Sequence, residues 1–266
     1  MLKKAKEIPS IEVLGNRVHM VQIPEVVELM SYWIEEEPQK CHWIVATGMH
    51  GIMEAHENSN FKAILNSSDL FVPDGIPLIW IARYLGFPLK KRVCGADLMS
   101  EFFRHASKKG YRNFFYGKSR ETLEQLVSKL SRSFPGLKIV GVYPSASTAE
   151  EDRKVIREIN QKKPDVLWVG LGLPWQERWI FEYKDRLRVP VVIGVGAAFD
   201  FLSGKVKRAP AWIGDRGLEW LWRLVCEPRN WPRIFLGGLF LYGPKFVFLV
   251  SSELISRKLR ERQHGK

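Results

Sequence analysis

The sequence predicts an α/β fold built on a mainly parallel, doubly wound sheet. Short apolar runs of strand length alternate with amphipathic helical patterns over most of the chain, and this alternation is typical of βαβ units. Glycines follow three of the apolar runs, at positions 117, 170–172 and 194–196. We expect right-handed crossovers between the strands. The carboxyl ends of the strands then share one edge of the sheet, where such folds bind their ligands.

The composition bounds the size and the partners of the chain. It has 266 residues, 45% of them apolar, which suffices for one sizeable core and an extension. A net charge of +12 favours an anionic partner: a nucleic acid, a lipid surface or a phosphorylated substrate. The three cysteines are isolated, which indicates reduced thiols in a cytosolic protein. No apolar segment follows the basic N-terminus, so we expect no signal peptide.

The first third of the chain alternates strand and helix patterns. Gly15 and Asn16 form a turn between two short strand patterns. Pro24 is placed at the first position of a helix, where its missing N–H costs nothing. Apolar residues recur at helical spacing after it. We predict strands at 11–14, 17–21, 42–46 and 70–72, and helices at 24–34, 52–57 and 61–65.

The middle of the chain is more regular. Asp97 is placed to cap a helix that Gly110 closes. Thr148 and Glu151 have the spacing of a capping box. We predict strands at 113–116, 138–142, 165–169 and 191–195; the helices lie at 98–108, around 123–130, from 149 through 159 and at 175–187, and an apolar segment covers 76–85.

The tail from about Leu218 has a different character. A Trp-rich helix pattern at 218–225 precedes an apolar run at 234–250 that glycines, a proline and a lysine interrupt. A spanning helix needs roughly 20 mostly apolar residues, so we expect this run to dock on the fold or to lie at a membrane interface. The basic end suits an anionic bilayer surface, and a solvated helix is the alternative. We divide the chain into 1–217 and a C-terminal Arg/Trp-rich appendage, 218–266.

Asp74 is the candidate catalytic residue. It follows the apolar run 70–72 and precedes Gly75, which places a carboxylate at the carboxyl end of a predicted strand. A carboxylate in that position can serve as a general base. The alternative is a turn residue or a helix cap, since Asp-Gly is a common turn dipeptide.

Glycine-rich strand ends complete a predicted crevice. Gly117 with Lys118 resembles the end of a P-loop, but Arg112 stands where the first P-loop glycine belongs, which leaves a generic anion site. Gly172 and Gly196 allow a ligand to approach the backbone, and the Gln176 amide could bind a hydroxyl-rich or uracil-like ligand.

The sequence predicts neither a cofactor nor a metal. The glycines fall short of a GxGxxG fingerprint, and the chain contains no HExxH and no Asp-x-Asp. If a diphosphate leaves here, cations such as Arg92 must offset its charge, since arginine matches phosphate geometry well. For Arg92 alone, a surface salt bridge is the alternative.

Together these stretches resemble the WecG/TagA/CpsF glycosyltransferases, family 26 of that enzyme class. The resemblance covers roughly residues 11–233, and six blocks match in order: 72–75, 92–98, 172–177, 196–200, 208–210 and 217–224.

The resemblance implies a Rossmann-like hexosyltransferase that needs no metal. It would move a sugar from a UDP-sugar, with inversion, to a sugar on undecaprenyl diphosphate at the cytoplasmic face of the membrane. Teichoic acid, capsule or exopolysaccharide synthesis would use the product. Asp74 matches the catalytic base of the family. The resemblance carries over Thr47, Arg92 and Gln176 as substrate-side residues, and the appendage arginines Arg223, Arg229 and Arg233. The further candidate substrate-binding residues are Gly95, Asp97, Gly117, Gly172 and Gly196.

One position departs from the family pattern. Met49 stands where the family often has an asparagine, two residues after the threonine. A glucosyl- or other hexosyltransferase is therefore the alternative to an N-acetylmannosaminyltransferase. Two further alternatives are a basic nucleic-acid-binding protein, for which no binding module is recognised, and a non-catalytic scaffold. We expect no nucleic-acid partner, and the sequence leaves a homo-oligomer open.

Overall fold

The computed structural model describes residues 8–145, 148–214, 218, 221–222, 225 and 242–264. The chain opens with an antiparallel hairpin of β1 (Ser10–Val13) and β2 (Asn16–His19). Leu14 and Gly15 form its two-residue turn and both have positive φ angles, 49° and 78°. Such a turn matches the right-handed twist of the strands it joins.

Six parallel strands form the main sheet, as the alternating pattern predicts. Their order is β4-β3-β8-β7-β5-β6, so β4 lies at one edge and β6 at the other, and the last strands along the chain, β7 and β8, lie inside the sheet between β5 and β3. The strands are β3 (His42–Thr47), β4 (Leu70–Pro73), β5 (Arg112–Gly117), β6 (Lys138–Pro144), β7 (Val166–Gly170) and β8 (Val191–Gly194). The predicted doubly wound α/β fold is therefore confirmed.

Helices cover both faces of this sheet. Those of the described part are α1 (Ile23–Glu36), α2 (Met49–Glu57), α3 (Ser59–Asn66), α4 (Ile76–Tyr84), α5 (Gly95–Lys109), α6 (Arg120–Ser133), α7 (Ala149–Lys162), α8 (Trp175–Tyr183), α9 (Ala198–Ser203), α10 (Ala211–Gly214) and α11 (Gly243–His264). Alternate strand residues face two apolar layers. Val45 packs with the hairpin, α2–α4, α8 and α11, whereas Ile44 packs with α1, α5, α6 and α9.

Several element boundaries differ by a few residues from the sequence expectation, and the hairpin turn is Leu14-Gly15, not Gly15-Asn16. Two further differences concern α5 and α8. Asp97 lies inside the first turn of α5 and does not cap it, since the helix begins at Gly95 and its N-cap is Cys94. The Asp97 carboxylate instead binds Arg208, which the sequence alone could not show. The predicted helix 175–187 ends as an α-helix at Tyr183 and continues as a short 3₁₀ turn, Lys184–Arg186.

The described part of the appendage docks on the N-terminal hairpin. On α11, Phe246 and Val250 are buried in the apolar layer of the hairpin. A carboxylate oxygen of Glu253 accepts a hydrogen bond from the Leu14 N–H at 2.9 Å, and Lys245 pairs with Glu57 at 2.6 Å. Within the described ranges, no helix combines the length and the apolar character needed to cross a bilayer.

Candidate active site

The strand ends singled out in the sequence share one edge of the sheet. Thr47 at the end of β3 pairs with Pro73 at the end of β4, so Asp74 follows directly beside Thr47. Gly117 at the end of β5 pairs with Gly170 at the end of β7. Val169 pairs in turn with Gly194 at the end of β8. Because the sheet is parallel, these ends form a continuous carboxyl edge with the candidate base near one end.

Asp74 lies at this edge as a partly exposed carboxylate. Its side chain is 26% exposed, and its Oδ1 atom lies 3.9 Å from Nη1 of Arg92. Arg92 is positioned through its neighbour, because the Val93 N–H donates to the Pro73 carbonyl oxygen at 2.9 Å. The N-cap position of α4 is occupied by Gly75. Asp74 is therefore not the N-cap residue of this helix, and the alternative of a turn residue stays open.

The turn that carries Asp74 touches the turn after β3. A Cβ atom added at Gly48 would collide with the carbonyl oxygen of Asp74, and Gly75 has a φ angle of 142° that other residues rarely adopt. Thr47 is buried, and its hydroxyl fills the space that Gly51 of α2 leaves open. Backbone contact between the two turns therefore sets the position of the candidate base.

Gln176 joins the ends of two strands. It is buried in the first turn of α8, and its Oε1 atom accepts hydrogen bonds from Gly172 N–H at 3.1 Å and Gly196 N–H at 2.9 Å. Its Nε2 atom donates to Glu177 Oε1 at 2.8 Å. Gly172 and Gly196 have positive φ angles of 76° and 52°. The amide shapes both loops of the edge, and its contact with a substrate stays a prediction.

The burial of Glu177 is a feature that the sequence did not reveal. Its position in the first turn of α8 fits a helix-dipole partner, but the side chain is almost fully buried. Burial raises the pKa of Glu177 to about 7, against a hydrogen bond from Gln176 that lowers it. Its second carboxylate oxygen has no hydrogen-bond partner within the described part of the protein. The Glu177 carboxyl group therefore titrates close to neutral pH.

The glycines at the edge have structural roles that differ from the expected one. The ring of Phe199 packs against both Gly117 and Gly170, where a Cβ atom would meet its carbons. At Gly95, a Cβ atom would lie 3.3 Å from the Val195 carbonyl oxygen, so the missing side chain lets α5 approach the end of β8. These three glycines make room for protein atoms, and a ligand contact at Gly95 or Gly117 stays a prediction.

Basic side chains surround the edge. Arg208 binds the Asp97 carboxylate through both terminal nitrogens, which joins the segment after α9 to the start of α5. The sequence motif 208–210 includes this arginine but did not reveal its partner. The Lys118 ammonium lies next to Gly172, 3.4 Å from where a Cβ atom would stand. With Arg92, these cations suit a diphosphate. Arg223, Arg229 and Arg233 lie outside the described residues.

Where the structure describes the chain, no three His, Cys, Asp or Glu side chains converge so as to hold a metal ion. The site combines two partly exposed carboxylates, Asp74 beside Arg92 and Asp97 bound to Arg208, at the carboxyl edge of a doubly wound sheet. This arrangement is typical of enzymes that act on phosphorylated, nucleotide-like substrates on a Rossmann-like fold.

The chain belongs to the WecG/TagA/CpsF family of glycosyl transferases. The family model matches residues 11–260, which includes the whole sheet, the site and most of α11. The family resemblance found in the sequence motifs is thereby confirmed.

Three similar proteins carry the same name, N-acetylglucosaminyldiphosphoundecaprenol N-acetyl-beta-D-mannosaminyltransferase. The protein of Bacillus spizizenii strain W23 is 36% identical over 197 residues, which cover 74% of each chain. That of Bacillus subtilis strain 168 is 34% identical over 80% of this chain and 81% of its own. That of Staphylococcus aureus strain NCTC 8325 is 24% identical over 87% of this chain and 91% of its own.

Proposed function

We propose that this protein transfers a sugar from a UDP-sugar to a sugar carried on undecaprenyl diphosphate, with inversion and without a metal ion. Family membership supports glycosyl transfer, and the names of the relatives support the lipid-linked acceptor. The reaction would serve the synthesis of a cell-surface polysaccharide, such as a teichoic acid, a capsule or an exopolysaccharide. The protein would work at the cytoplasmic face of the membrane.

The observation that carries this proposal is the partly exposed Asp74 carboxylate beside Arg92 at the carboxyl edge. The acceptor hydroxyl oxygen forms a bond to the anomeric carbon while the bond from that carbon to the UDP phosphate oxygen breaks. The electron pair leaves with UDP, and the hydroxyl proton passes to the Asp74 carboxylate. Attack from the face opposite UDP inverts the anomeric centre. General-base help of this kind contributes about 10²–10⁴-fold to the rate.

In this mechanism, cationic side chains rather than a metal ion stabilise the departing diphosphate. The departing UDP carries its growing negative charge at the edge where Arg92 and Lys118 lie. The appendage arginines Arg223, Arg229 and Arg233 are proposed to close over the diphosphate, and residues 218–266 to associate with the membrane. Thr47 and Gln176 are proposed to contact the sugar nucleotide once it occupies the crevice.

The donor sugar has two candidates. The names of the relatives favour N-acetylmannosamine. Met49, however, is the first residue of α2 and packs against the apolar core, so it offers no polar group to an acetamido sugar. A glucosyl or other hexosyl donor is therefore the second candidate.

A direct assay tests the function. The protein is incubated with a prenyl-diphosphate-linked N-acetylglucosamine and, in turn, UDP-N-acetylmannosamine, UDP-N-acetylglucosamine and UDP-glucose, with and without EDTA. We expect one donor to give a disaccharide lipid by mass spectrometry, with stoichiometric UDP. The anomeric configuration of the new linkage, read by NMR, should be opposite to that of the donor. Intact donor in every mixture, a retained configuration or complete loss of transfer in EDTA would contradict the proposal.

A further inference from the structure

Two large aromatic side chains stand in solvent on α4, the helix that follows the candidate base. Trp80 is 59% exposed and Tyr84 is 63% exposed. They are four residues apart and so share one face of the helix. The opposite face is buried in the core through Leu78, Ile79 and Ala82. Within the described residues, the fold thus buries one side of α4 and leaves the aromatic side exposed.

A basic rim borders this aromatic face. Arg83 donates from Nε to the Leu89 carbonyl oxygen at 2.8 Å and from Nη2 to the Lys90 carbonyl oxygen at 2.9 Å. These bonds hold the segment after α4 against the helix, with the Lys90 side chain exposed. Between Gly75 and Ala96 the chain has four basic residues and no acidic one. Trp80, Arg83, Tyr84 and Lys90 are called the α4 surface below.

The α4 surface flanks the candidate base. The helix begins two residues after Asp74, and a rise of about 1.5 Å per residue places Trp80 about 6 Å further along its axis. The segment after Lys90 returns to the end of β4, where Val93 N–H bonds to the Pro73 carbonyl oxygen. The side chain of Gln22 holds the same segment by accepting from the Lys90 and Lys91 N–H groups. Whatever lies on this surface is therefore close to the end of the crevice beside Asp74, called the mouth below.

We propose that the α4 surface is a docking surface for an anionic phospholipid bilayer. Tryptophan and tyrosine prefer the headgroup level of a membrane, where the ring is buried and its polar atom stays wet. Exposed lysine and arginine next to the rings are attracted by the negative surface potential of anionic lipids. The role of this docking rests on the proposed function: docking brings the mouth beside Asp74 to the membrane that carries the acceptor.

The charge of the α4 surface argues against a second copy of the chain as its occupant. A symmetric contact would bring the same patch of each subunit together. The acid-free segment 75–96 would then face an identical basic segment, which is unfavourable. An anionic bilayer instead complements both the rings and the cations.

Vesicle binding of the full chain tests the proposal. Trp80→Ala/Tyr84→Ala and Lys90→Glu are compared with Phe181→Ala and Lys162→Glu. Phe181 is another exposed aromatic, on α8, and Lys162 is an exposed lysine at the end of α7, on the opposite edge of the sheet. Co-sedimentation uses vesicles of phosphatidylcholine with 30% phosphatidylglycerol, and vesicles of phosphatidylcholine alone.

We expect the aromatic double variant to bind the anionic vesicles at least about tenfold more weakly than wild type, and Lys90→Glu several-fold more weakly. The two control variants should stay within about twofold of wild type. Circular dichroism and the Tm check that every variant is folded. Wild-type affinity in the aromatic variant would overturn the proposal. So would a changed oligomeric state in sedimentation velocity with unchanged vesicle binding, which would make the surface a protein contact.

A second readout separates this proposal from the proposed function. With a short-chain, water-soluble acceptor, the transfer rates of the α4-surface variants should stay within about twofold of wild type. With acceptor embedded in anionic vesicles, their transfer rates should fall in proportion to their loss of vesicle binding. If wild type transfers no sugar to either acceptor, the proposed function fails and vesicle binding still decides the role of the surface. Equal losses with both acceptors would overturn the membrane role.

Discussion

At the scale of single residues, the pair Gln176–Glu177 links stability to the shape of the crevice. Gln176 holds the loops after β7 and β8 together and donates its amide to Glu177. Burial raises the pKa of Glu177 to about 7, above its usual value of 4.5. The folded protein therefore keeps a proton that the unfolded chain releases between these pH values, so Glu177 costs stability as the pH rises through this window.

Replacing Glu177 by Gln should remove this cost. As the pH rises from 4.5 to 7.5, the free energy of unfolding of wild type should fall by about 2–3 kcal/mol more than that of Glu177→Gln. Each unit of pKa shift corresponds to about 1.4 kcal/mol. Urea unfolding at several pH values measures this difference. The control is Glu182→Gln, an exposed position on the same helix. Parallel pH profiles for wild type and Glu177→Gln would contradict the burial argument.

At the scale of elements, the candidate base is placed by two turns that touch each other. Gly48 follows β3 and packs directly on the carbonyl group of Asp74, which follows β4. The two strands are parallel neighbours in register from Ile44 to Thr47. An ordinary side chain at Gly48 must therefore displace the Asp74 turn or the start of α2.

Gly48→Ala should lower kcat by about 100-fold, since a misplacement of about 1 Å at a reacting group costs that much. The KM for the donor should change by less than about threefold, because the neighbouring ends of β7 and β8 are untouched. Steady-state kinetics measure both. The control is Gly86→Ala, where an added Cβ atom meets nothing but the φ angle of 90° is strained. It should lose about 1–2 kcal/mol of stability and keep its kcat. Equal kcat values for the two variants would sink the positioning argument.

The sequence predicted these elements well where the signal is local. The strands are apolar on both faces because helices cover the sheet on both sides, so they stand out as short unbroken runs. Asp74 was located because it follows such a run, at the edge where these folds bind ligands, and because it matches the family motif. Features set by long-range contacts were missed. The start of α5 is one case, since Asp97 pairs with Arg208, 111 positions further along the chain.

At the scale of the whole molecule, the strand order and the roles of the glycines could be determined only from the three-dimensional structure. The alternation of strands and helices does not show that β3 and β8 are neighbours, or that Phe199 fills the space at Gly117 and Gly170. The docking of α11 on the first hairpin joins the two ends of the chain, through Glu253 and Leu14. The division at residue 217 stays a proposal.

The molecule as a whole places the Asp74 carboxylate, several cations and the start of α4, which carries the α4 surface, at the carboxyl edge of the sheet. Asp74 and Arg92 lie at the edge of the sheet, and α4 begins two residues after Asp74 with its aromatic face exposed. The net charge of +12 suits a donor with a diphosphate, an acceptor with a diphosphate and an anionic membrane. The proposed sugar transfer at a membrane surface is therefore consistent with the charge, the fold and the site.

The most direct measurement for the central claim is the kcat of Asp74→Asn with saturating donor and acceptor. The amide keeps the size of the side chain but cannot accept the hydroxyl proton, so kcat should fall by about 10²–10⁴-fold. The control is Asp185→Asn, whose side chain is 90% exposed in the 3₁₀ turn after α8, and it should retain wild-type kcat. If folded Asp74→Asn turns over within about threefold of wild type, Asp74 is not the base.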